Sequence, residues 1–66
     1  MWLLIFDIPN SKEKLQRKIN RMLHKLQASC VQKSVWKSEN LEILKAIANE
    51  IRKEGAKASI LKEEVV

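Results

Sequence analysis

The 66 residues predict a two-layer α+β fold, an antiparallel sheet with two helices on one face. Three observations carry this. An apolar run, "WLLIFDIP", reads as a strand buried on both faces. Two later segments each carry one apolar stripe at helical spacing. Short β-branched stretches, "ASCVQKSVWK" and "KASIL", separate the helices and follow the second.

Residues 2–8 alternate Trp2, Leu4, Phe6 and Ile8 with Leu3, Ile5 and Asp7. Apolar residues on both faces mark a central strand, and Pro9 ends its ladder because it has no N–H to donate. Asn10 is a good N-cap, and Glu13 three residues on makes it close to a capping box. The helix it opens is expected from about Ser11 to Leu26, with Leu15, Ile19, Met22, Leu23 and Leu26 as its buried stripe. Residues 28–37 read as one bent strand or two short ones, since no Gly or Pro marks a hairpin.

Ser38 to Asn40 supply the next cap. Leu41, Leu44, Ala48 and Ile51 then form a stripe over residues 41–54, widened by Ile43 and Ile47. Gly55, the only glycine, sits where a helix C-terminus favours one. Residues 57–61 are expected to form a weak final strand and 62–66 a frayed tail. The order β-α-β(β)-α-β with single-striped helices is the ferredoxin-like arrangement, one domain over 1–66. Leu3 and Ile5 then lie on a face that no helix covers, and a second copy of the chain, related by a two-fold axis, is its expected cover.

Composition narrows the function classes. A chain this short buries only about 60% of the surface its unfolded form exposes, so it is marginal alone, and a disulfide, a metal or self-association is the usual remedy. Cys30 is the only cysteine, which excludes a disulfide within the chain, and Cys30 with His24 is too few ligands for zinc. Self-association is left. No segment reaches the roughly 18 apolar residues of a membrane span, and Met1 to Ile8 lacks the form of a signal peptide, so a cytoplasmic protein without a membrane partner is expected.

The net charge is +5. It is concentrated on the first helix, where Lys12, Lys14, Arg17, Lys18, Arg21 and Lys25 face one acid, Glu13. Lys14, Arg17, Lys18, Arg21 and Lys25 fall opposite the apolar stripe, a row suited to phosphates and hence to RNA or DNA. The plainer reading is a solvated face, although such faces usually mix signs, as residues 41–54 do with three of each.

Asp7 ends a strand beside a helix start. It could ligate Mg²⁺, which takes one or two carboxylates with water and substrate phosphate. It could equally accept backbone N–H bonds in the turn. Two Asp7 residues meeting near a dimer axis would make phosphodiester cleavage conceivable. His24 reads as structural or solvated, and Cys30 as a small strand-filling residue.

"LLIFDIP" followed by "VQKSVW" resembles the small CRISPR-associated nuclease of the adaptation complex, the second Cas protein family. The matching residues are Phe6-Asp7-Ile8 and Val31-Gln32-Lys33-Ser34-Val35-Trp36. The same pair also resembles the C-terminal domain of phenylacetate-type transcriptional repressors, and the likeness covers residues 2–54.

The resemblance to the nuclease implies a ferredoxin-like homodimer with Asp7 as catalytic residue and Mg²⁺ ligand at the interface. It also implies Arg17 and Arg21 on phosphates, a metal-dependent RNase or DNase or a non-catalytic scaffold in spacer acquisition, and the adaptation integrase as a partner. The resemblance to the repressors implies instead a non-catalytic dimerisation or regulatory module. The chain departs from the nuclease pattern with Cys30 where Arg often stands before Val-Gln, and with Gln27 near the usual glycine. Members of that family usually run some tens of residues beyond the place of Val66, with a C-terminal strand there.

Overall fold

The computed structural model describes residues 1–64. Its elements run β1 (Trp2–Asp7), a 3₁₀ turn (Asn10–Lys12), α1 (Glu13–Lys25), β2 (Ser29–Gln32), β3 (Val35–Ser38), α2 (Leu41–Lys53) and β4 (Lys57–Lys62). The sheet order is β2-β3-β1-β4, and every pairing is antiparallel. This is the ferredoxin-like fold expected from the sequence, with β1 central and β2 and β4 at the edges.

The pleat sends alternate residues of β1 to opposite faces. Leu4 and Phe6 are buried with Trp36, Leu15, Ile19, Leu23, Leu44, Ile47, Ala48, Ile51 and Ala56 in one core. Leu3 and Ile5 point the other way. They pair with Lys37 and Val35 on β3, and with Leu61 and Ser59 on β4. Leu3, Ile5 and Val35 are only half-buried and Leu61 is 53% exposed, so the sheet has an open face, apolar along Leu3, Ile5, Val35 and Leu61, with no layer of the described residues over it.

The entry to α1 differs from expectation. Asn10 does not cap the helix. Pro9, at φ −60°, leads into the 3₁₀ turn closed by Lys12 N–H to Pro9 C=O at 2.9 Å. Lys12 occupies the N-cap position without a side-chain bond. The capping box therefore does not form, because the turn takes up the residues that would have made it. At α2 the expected cap is present, with Asn40 Oδ1 accepting from Ile43 N–H at 3.1 Å. Ile43 itself is 42% exposed and does not widen the buried stripe, whereas Ile47 does.

The two helices end alike on unlike residues. Ala56 N–H bonds to Ile51 C=O and Gly55 N–H to Arg52 C=O, with Gly55 at φ +84°. Ala28 N–H bonds to Leu23 C=O and Gln27 N–H to His24 C=O, with Gln27 at φ +60°. Both are Schellman closures, which favour glycine at the left-handed position. Gln27 bears a Cβ there at a cost of about 1 kcal/mol. Gln27→Gly is accordingly expected to stabilise the fold by about 0.5–1 kcal/mol. Urea unfolding should show a raised midpoint at unchanged slope. Gly55→Ala should lower the midpoint by a similar amount, since open space around Gly55 leaves only the backbone cost.

Residues 28–37 form two strands rather than one. Their hairpin turns at Lys33–Ser34, with Gln32 opposite Val35. Neither turn residue has positive φ, and the register shift between Cys30 and Gln32 leaves Val31 as a bulge. A bulge adds local twist, which lets a glycine-free turn serve here. Cys30 lies exposed on this edge strand, its Sγ 3.2 Å from Gln32 C=O, and so fills no core space. At the other edge Lys62 completes β4, and Glu63 N–H bonds to Met1 C=O at 2.9 Å. The expected fraying at 62–63 is thus replaced by pairing, and residues 65–66 of that tail lie outside the described residues.

Candidate nucleic-acid interface

α1 carries Lys14, Arg17, Lys18, Arg21 and Lys25 exposed on the side away from Leu15, Ile19 and Leu23. Two of the five have partners. Lys18 Nζ reaches Glu50 Oε1 on α2 at 2.6 Å, and Arg17 lies 3.7 Å from Glu13 one turn earlier. Lys14, Arg21 and Lys25 make no ion pair among the described residues. Their spacing of seven and four residues keeps them on one line along the helix. The row of five thus divides into two cations engaged within the fold and three presented to solvent.

The Lys18 ammonium holds the Glu50 carboxyl below its ordinary range, first by their hydrogen bond and then by charge. A depressed carboxyl contributes stability above its unfolded pKa and loses it as pH falls through the folded value. The stability gap between wild type and Glu50→Gln should therefore close in acid. It should also close at high salt, because both side chains are partly exposed. Thermal unfolding at neutral and acid pH measures it.

Asp7 is exposed on the open face of the sheet, opposite the face against which α1 and α2 pack. Its register partner across β4 is Lys57, and the two make no ion pair. Asp7 and the basic row therefore occupy different sides of the sheet. They approach only at one end, where α1 begins six residues after β1 ends. A cleft of about 190 Å³ opens there, lined by Phe6, Asp7, Ile8, Asn10, Gln16, Lys33 and Ser34.

The residues around Asp7 fit a divalent ion only as a thin site. No group of three or more His, Cys, Asp or Glu gathers among the described residues. One carboxylate with amide and hydroxyl oxygens from Asn10, Gln16 and Ser34 suits Mg²⁺ when water and substrate phosphate supply the remaining ligands. His24, at the last turn of α1, packs edge-on against Trp36 with ring centroids 5.3 Å apart. It is a structural contact. Sequence reasoning missed Lys33 and Ser34 as neighbours of Asp7, because only the hairpin brings them to the end of β1.

No helix among the described residues is long and apolar enough to cross a membrane. Comparisons with family models, with curated proteins and with solved structures each found no match.

Proposed function

We propose that this chain is a cytoplasmic nucleic-acid-acting module that works as a two-fold homodimer through the open face of its sheet. The observation that carries the reading is the row Lys14, Arg21 and Lys25, three solvent-facing cations on one line that make no ion pair among the described residues. The start of α1, where that row begins, lies beside the Asp7 cleft, which Asn10 and Gln16 help to line. In the dimer the two basic helices lie on the outside, and the two open faces, each with its Asp7, lie inside.

The resemblance to the adaptation nuclease agrees with this plan and suggests Mg²⁺-dependent phosphodiester cleavage, with the integrase of spacer acquisition as a protein partner. A bound Mg²⁺ would supply charge neutralisation at the phosphate and an activated water. Asp7 would hold the ion.

The thinness of the donor set around Asp7 favours a second reading. In it the dimer binds nucleic acid as a scaffold, or serves as a dimerisation module of the repressor type, without cleaving.

The test is fluorescence anisotropy of labelled duplex DNA and single-stranded RNA over a salt series. Binding that weakens linearly in log–log form, with a slope of about −0.9 per phosphate contact on duplex, supports the proposal. A folded protein that binds neither polymer at low salt sinks it.

A further inference from the structure

We propose that Lys33, at the tip of the β2–β3 hairpin, is a phosphate-anchoring residue that places a cation in the Asp7 cleft, beside the N-terminal end of α1. The inference rests on the nucleic-acid reading above and names the part of the site that receives a backbone phosphate beside Asp7.

The hairpin tip is held in place by bonds to the backbone carbonyls of both its residues. Phe6 N–H donates to Ser34 C=O at 3.1 Å, which ties the turn to the end of β1. The indole N–H of Trp36 approaches Lys33 C=O at 3.4 Å, and Trp36 is itself buried in the core. A lysine on such a tip is positioned by the core rather than left to a loose loop. Neither bond uses the Lys33 side chain, so that side chain is not needed to hold the turn.

Lys33 lies on the wall of the cleft that also carries Asp7, Asn10, Gln16 and Ser34. It also lines the adjoining hollow with Pro9, Asn10, Glu13 and Gln16, at the N-terminal end of α1. It therefore stands between the N-terminal end of α1 and the carboxylate. Lys33 is exposed and makes no ion pair among the described residues.

The chemistry of the cleft is that of a phosphodiester seat. A phosphate brought beside Asp7 meets a carboxylate, and like charges there would repel it. Lys33 is the ammonium in the cleft that can offset that repulsion, while Asn10, Gln16 and Ser34 offer hydrogen bonds to phosphate oxygens. Ser34 is the neighbour of Lys33 in the turn, so the two groups are presented together.

The experiment compares wild type, Lys33→Ala, Lys33→Arg and Lys45→Ala in a salt titration. The probe is whichever labelled polymer, duplex DNA or single-stranded RNA, wild type holds more tightly. Lys45 is a control on α2, where it lies 3.8 Å from Glu42. Lys33→Ala should weaken binding several-fold and make the salt slope shallower by about 0.9 per chain on duplex, or about 0.7 on single strands. Lys33→Arg should restore both, and Lys45→Ala should leave both near wild type. A Lys33→Ala protein indistinguishable from Lys45→Ala, with wild type binding normally, overturns this inference and spares the broader one. Absence of wild-type binding overturns both.

Discussion

Asp7→Asn is expected to lower Mg²⁺-dependent cleavage of nucleic acid by about 100-fold or more, while fold and dimer persist. The substitution keeps the size of the side chain and removes its negative charge. With a single carboxylate in the cleft, no neighbour can take over a divalent ion. A bound Mg²⁺ would neutralise the phosphate and activate water, and Asp7→Asn would forfeit both. Asp7 is exposed and makes no ion pair, so stability should move by no more than about 0.5 kcal/mol. Cleavage by gel assay, with Mg²⁺ or EDTA, measures the effect. Equal cleavage by wild type and Asp7→Asn would remove Asp7 from the chemistry. Salt-sensitive binding with no cleavage by either would leave the scaffold reading.

The second large effect is on binding. Arg21→Ala with Lys25→Ala removes two unpaired cations per chain and four per dimer. Each phosphate contact contributes about 0.9 to the duplex salt slope, so the slope should become shallower by about 3.6. Affinity at low salt should fall on the order of 100-fold. Arg17→Ala and Lys18→Ala should cost less, because Glu13 and Glu50 already neutralise those side chains in part. Anisotropy titrations at several salt concentrations distinguish the pairs. Equal losses at all four positions would mean that the internal ion pairs do not hold in solution.

The sequence made the architecture readable for a physical reason. β1 is apolar on both faces because it is central, and each helix carries one stripe because each meets the sheet from one side. Those periodicities survive without knowledge of any contact. The Gly55 closure and the Asn40 cap were equally legible, as single residues with strong local preferences. The entry to α1 was not, since a 3₁₀ turn after Pro9 and a capping box share the same residues. Nor was the hairpin, whose turn lacks glycine and is accommodated by a bulge at Val31.

The candidate site was legible in part. The basic row on α1 follows from spacing alone, and all five side chains are exposed. That Lys18 is drawn into a pair was not legible, because its partner, Glu50, lies 32 residues away and only helix packing brings it near. The placement of Asp7 and the basic row on different sides of the sheet was likewise hidden. It follows from the strand's pleat combined with the side on which α1 packs. Lys33 and Ser34 reach Asp7 through strand pairing between β3 and β1, which no local pattern in the sequence announces.

In the proposed assembly a second copy of the chain covers the open face and brings two Asp7 residues together. Sedimentation equilibrium tests it most directly, on wild type beside Ile5→Lys. Ile5 is half-buried on the open face, outside the core, so lysine there can be tolerated by a single chain but not by two apolar faces in contact. The expected result is a wild-type mass of twice the 7.7 kDa chain and a folded Ile5→Lys protein at 7.7 kDa. A folded wild-type protein that stays at 7.7 kDa across the concentration range would contradict it.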